Sequence, residues 1–62
     1  MNPLPRSPMF TLINSQLSHF FYFQNMGDFF IVHSGQTQVQ IGVEGCKHFI
    51  SGMQKLGYRV EV

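Results

Sequence analysis

The hydrophobic pattern is clearest over Thr37 to Val62. Val39, Ile41 and Val43 alternate with Gln38, Gln40 and Gly42, a period of two that gives a strand one apolar and one polar face. The period then changes. Cys46, Phe49, Ile50, Met53 and Leu56 recur at helical spacing and predict an apolar stripe, with Lys47, His48, Ser51, Gln54 and Lys55 opposite. Glu44 and Lys55 suit the two ends of the helix dipole. Gly45 stands near the helix start, where Ser, Thr, Asp or Asn would cap better. Gly57 falls where a left-handed C-terminal cap is expected. Gly52, mid-helix, costs roughly 1 kcal/mol against Ala, for close packing or merely tolerated. Tyr58, Val60 and Val62 against Arg59 and Glu61 restore the period of two. Strand, helix, strand at this spacing most simply predicts two parallel strands with a right-handed crossover, the stripe covering their apolar face.

Upstream, Met9–Ile13 reads as a strand and Asn14-Ser15-Gln16 as a turn. Leu17–Gln24 fits either a strand or a helix capped by Ser15; its aromatic density favours the strand. Asn25-Met26-Gly27-Asp28 is a turn signal, and Phe29–Ser34 a further strand. Gly35 at the first central position fits a two-residue type II′ hairpin, which fixes a register. Val32 then faces Val39, Phe30 faces Ile41 and Asp28 faces Val43. On the other face His33 meets Gln38, Ile31 meets Gln40 and Phe29 meets Gly42. The expected fold is α+β: a sheet of four or five strands with one amphipathic helix on one face, in the order β-β-β-β-α-β. Met1–Pro8, with three prolines, is expected to be a flexible arm, and 9–62 a single domain. Residues 1–25 fit either an integral part of that fold or an extension to it.

Composition narrows the function. Sixty-two residues make one marginal domain, burying only about 60% of the unfolded surface. One cysteine permits no intramolecular disulfide and suits a reducing, cytoplasmic setting. Residues 7–27 lack charge, but about half of them are polar, Pro or Gly, so no membrane span is expected. With seven charged residues and a net charge of +1, the chain is a poor electrostatic binder of nucleic acid.

The candidate chemistry is thin. Cys46 and His48, two apart on a helix, point about 200° away from each other, and neither C-x2-C nor H-x3-H occurs, so no metal site is expected. Cys46 lies in the apolar stripe and has no facing base. Asp28, Glu44 and Glu61 are not paired by spacing, and no nucleotide or hydrolase motif is present. No enzyme activity, cofactor or small-molecule substrate is therefore expected.

Seven Phe and two Tyr are the unusual feature, concentrated in Phe20-Phe21-Tyr22-Phe23. A strand there shows two aromatics to each face, as core or as a sticky surface. The register leaves Phe29 and Ile31 beside Gln38, Gln40 and Arg59 on the face away from the helix, with Phe20 and Tyr22 candidates for the same surface. These seven residues are the expected partner-binding set, and a protein partner or a second copy the expected occupant. A single-stranded nucleic-acid module using aromatic stacking is the alternative, a structural homodimer the third. Stoichiometric inhibitors encoded by phages and mobile elements, anti-CRISPR proteins among them, share this small size and lack of catalytic groups; that parallel rests on no motif.

Overall fold

The computed structural model describes residues 7–62. Five strands and one helix follow in the order β1 Met9–Asn14, β2 His19–Asn25, β3 Phe29–Ser34, β4 Thr37–Gly42, α1 Val43–Lys55 and β5 Arg59–Glu61. The α+β class and the element order are as the sequence predicts. The ambiguous aromatic segment is a strand, and β1 and β2 lie inside the sheet, so residues 9–25 are integral to it. Residues 1–6 of the expected Pro-rich arm lie outside the described residues. Pro8 is tied to the sheet, its carbonyl accepting from the Asn25 amide at 2.8 Å.

The sheet order is β4-β3-β2-β1-β5, every neighbouring pair antiparallel. The β3–β4 register matches the prediction from Ser34↔Thr37 through Phe29↔Gly42. Gly35 has φ +61°, and Gln36 is not in the positive-φ region, as the type II′ turn demands. The expected Asp28–Val43 pairing does not form: the ladder stops at Gly42, and Val43 opens the helix.

The expected parallel neighbours do not form either. β5 runs in the same direction as β4 but lies at the opposite edge, antiparallel to β1. Helix length explains how. Thirteen residues give a helix of about 20 Å. Four inter-strand steps of about 4.8 Å, from β4 to β5, come to roughly 19 Å. The helix carries the chain across the whole sheet, and in doing so covers Phe10, Leu12 and Phe23 at its centre. A helix returning beside β4 would leave those side chains in water, at about 25 cal/mol for each Å² of apolar surface.

Their burial defines the core. Phe10, Leu12, Phe23 and Phe30 are buried under Cys46 and Ile50 of the helix, with Phe49 and Met53 packed at the margin. Phe10 and Phe23 stack at 4.7 Å, and Phe30 meets Phe10 edge-on at 6.1 Å. The helix begins at Gly42 without a side-chain cap. Gly45 is not the cap; it lets the first turn sit close on β4, where an added Cβ would lie 3.0 Å from Ile41 Cγ1. Gly52 faces open space and is merely tolerated.

Leu56 departs from the expected stripe. It is the C-cap residue and largely exposed. Gly57, at φ +101°, lets the Tyr58 amide reach the Met53 carbonyl and its own amide reach the Gln54 carbonyl, each at 3.1 Å. That pair of bonds is a Schellman stop, which turns Leu56 off the apolar face and buries Tyr58 in its place. Val62 lies beyond β5 and is exposed.

The helix runs diagonally, from the Gly42 end of β4 to the Asn14 end of β1. One corner of its own sheet face stays uncovered. Val39, expected beneath the helix, is 56% exposed. An apolar groove of about 210 Å³ opens there between Phe49 and the β3–β4 hairpin, lined also by Phe21, Val32 and Ile41.

Candidate interaction surface

Strand alternation assigns every side chain to a face. Phe10, Leu12, Phe21, Phe23, Phe30, Val32, Val39, Ile41 and Val60 share the helix side. The cross-strand register places Met9, Thr11, Ile13, Phe20, Tyr22, Gln24, Phe29, Ile31, His33, Gln38, Gln40, Arg59 and Glu61 on the other. All seven residues expected to meet a partner, Phe20, Tyr22, Phe29, Ile31, Gln38, Gln40 and Arg59, lie on this second face, and no element among the described residues covers it. The aromatic run divides as alternation requires: Phe21 and Phe23 to the core side, Phe20 and Tyr22 to the open side.

The apolar part of the face is in two pieces. Ile13 opposes Phe20, and the Tyr22 hydroxyl reaches Met9 Sδ at 2.8 Å, making one cluster on β1 and β2. Phe29 and Ile31 make the second, on β3. Between them, His33 Nε2–H donates to Gln24 Oε1 at 2.6 Å. Tyr22 opposes His33 and Gln24 opposes Ile31, so this bond spans one diagonal of the quartet and separates Tyr22 from Ile31 on the other. Sequence reasoning missed that polar seam. Alternation puts both residues on the open face, but only the β2–β3 register sets them one pair apart. Phe20 is 56% and Met9 51% exposed, whereas Ile13, Tyr22, Phe29 and Ile31 are half-buried by their neighbours.

Charge on this face is sparse and self-compensated. Arg59 Nε and Nη2 both reach Glu61 Oε2, at 3.2 and 3.0 Å, and Nη1 donates to Ser15 Oγ at 2.9 Å. Lys47 is on the helix side and pairs with Glu44 at 3.2 Å. The arrangement offers contact area, hydrogen-bonding glutamines and one paired guanidinium.

The other candidates resolve simply. Cys46 is buried, and burial pushes its thiol up to about 11, the reverse of what a nucleophile needs. His48 is exposed on the helix. His19 Nδ1 lies 2.9 Å from the Tyr58 hydroxyl, with its ring edge-on to Phe21. No group of three or more metal-ligating side chains converges among the described residues. No helix among them is long and apolar enough to cross a membrane. No family model, curated protein or solved structure matches the chain.

Proposed function

We propose that the protein acts by stoichiometric, non-catalytic binding of a protein partner, as an inhibitor or regulatory subunit, and that the open sheet face is where the partner docks. One observation carries this reading. Two apolar clusters, Met9–Ile13–Phe20–Tyr22 and Phe29–Ile31, sit on a sheet face that no element among the described residues covers, divided by the Gln24–His33 pair and bordered by Gln38 and Gln40. Apolar side chains with a polar frame are the composition of protein interfaces, where aromatic residues supply most of the energy. Stacking of single-stranded nucleic acid is less well supported. Among the described residues the Lys or Arg on this face is Arg59, already held by Glu61, so phosphate binding there would have to break that pair.

Affinity capture of the tagged chain from a lysate of its source cell tests the reading, with and without nuclease and across rising salt. A stoichiometric protein retained through nuclease and high salt supports it. Recovery lost to nuclease, or falling steeply with salt, would transfer the face to nucleic acid. An eluate holding only further copies of the chain would count against a protein partner on this face.

A further inference from the structure

The two edges of the sheet differ in their protection. β5 is three residues long and carries Arg59 and Glu61, a short charged edge of the kind that resists pairing. β4 is six residues, Thr37-Gln38-Val39-Gln40-Ile41-Gly42, with no charge, no proline and an unbroken register to β3. Nothing among the described residues pairs with its outer side. Long, uncharged, unbulged edges are templates for another strand.

The hairpin fixes which backbone groups point outward. In a two-residue hairpin the pair flanking the turn, Ser34 and Thr37, exchanges both its hydrogen bonds. The alternation then turns Gln38, Gln40 and Gly42 away from β3. The strand is self-complementary about Gln40. Set antiparallel to itself with Gln40 opposite Gln40, it brings Gly42 opposite Gln38 and places Val39 against Ile41 twice. The Gln40 pair exchanges two hydrogen bonds, and each Gly42 amide donates to the Gln38 carbonyl of the other copy. The Gly42 carbonyl is taken by the first helical turn. Both Val39–Ile41 contacts fall at non-hydrogen-bonded pairs, where side chains lie closest.

This symmetry also addresses the uncovered corner. The groove at Val32, Thr37 and Val39 lies at the turn end of β4, and α1 starts from the other end. An antiparallel β4–β4 seam sets the helix start of each copy beside the open groove of the other. We infer that β4 pairs with β4 of a second copy in this register, giving a continuous ten-stranded sheet with both helices on one side and both open faces on the other. The inference stands apart from the partner reading, which concerns the open face and not the edge.

Sedimentation of the intact chain across a concentration series, with two variants, is the test. The wild type is expected to form a dimer. Gln40→Pro removes only outward-pointing amides, a place where an edge strand accepts proline. It deletes two of the four bonds and should weaken dimerisation at least about thirtyfold while the circular dichroism of the monomer is kept. Gln40→Cys should form an intermolecular disulfide on mild oxidation, since directly hydrogen-bonded pairs place Cα atoms about 5.5 Å apart. Cys46 is buried and gives no background. If Gln40→Pro unfolds, Val39→Lys, at an exposed position, supplies the same reading. A wild type that stays monomeric throughout, or a dimer that survives the folded edge variant, would overturn the inference.

Discussion

Asn14 is the buried polar side chain among the described residues, 2% exposed, and both ends of its amide are used. Oδ1 accepts from the Leu17 amide at 3.1 Å, closing the β1–β2 turn. Nδ2 donates to the Leu56 carbonyl at 3.1 Å, tying the C-terminus of α1 to the end of β1. Asn14→Ala deletes both bonds. At about 1 kcal/mol each, with a modest addition for unpaired groups near the core, the loss should be roughly 2–3 kcal/mol. A chain of 62 residues has about 3–9 kcal/mol in total, so the variant should lose a large share of its stability. Asn14→Asp is the sharper perturbation. It sets a carboxylate against the Leu56 carbonyl at the negative end of the helix dipole, where burial and dipole both disfavour the charge. The folded-state pKa of the new carboxyl is therefore raised above its unfolded value near 4. The sign follows: the Asp variant is at its best below that value, where the protonated acid can donate to Leu56, and loses stability as the pH climbs through the raised pKa. Urea denaturation followed by circular dichroism, at a series of pH values, measures both. An Ala variant within about 0.5 kcal/mol of wild type, or an Asp variant whose deficit does not grow from pH 4 to 7, would refute the bridging role.

Two Gly→Ala substitutions should move stability in opposite directions, each read from the denaturation midpoint. Gly52→Ala, mid-helix in open space, should gain up to about 1 kcal/mol, whereas Gly57→Ala, at φ +101° and with its Cβ 3.3 Å from Asn14 Nδ2, should lose 1–2 kcal/mol or more. Phe23→Ala removes a fully buried ring stacked on Phe10 and should cost about 3–5 kcal/mol, close to unfolding, by the same assay. Phe49→Ala should cost less than Phe23→Ala, because Phe49 is half-buried at the groove, and the reverse order would refute the placement of the core. With its thiol pushed up to about 11 by burial, Cys46 should react with a thiol reagent at pH 8 at least about tenfold more slowly than in urea, and equal rates would contradict its burial.

Local patterns carried most of the fold. The alternation through β3 and β4, with Gly35 between them, was enough to give a register that holds over six residue pairs, because a two-residue hairpin leaves no freedom once its corner is set. The same alternation put Phe29, Ile31, Gln38 and Gln40 on one face; which face Phe20 and Tyr22 take needed the β1–β2 and β2–β3 registers. The position of β5 was not legible. Strand–helix–strand spacing says that two strands run the same way, not which neighbour the second one takes. That choice follows from covering Phe10, Leu12 and Phe23 together, a property of the whole sheet. Leu56 fits the helical period as well as Ile50 does; its exposure comes from the Schellman turn one residue later. Asn14 looked like an ordinary turn residue because its second partner lies 42 positions away. The Gln24–His33 seam was hidden for a related reason: it needs the β2–β3 register, and the turn at Asn25–Asp28 has no two-residue signature.

The central claim is that the open face binds a protein, and the most direct measurement is calorimetric titration of the captured partner against three forms of the chain. Phe29→Ser with Ile31→Ser should leave the circular dichroism unchanged and weaken binding at least about thirtyfold, the scale of losing a hot spot. Phe20→Ser should weaken it by a smaller factor. His48→Ala, on the outer side of the helix, should bind as the wild type does. Affinity unchanged by the folded Phe29 and Ile31 variant but lost with His48→Ala would contradict the account and move the interface to the helix.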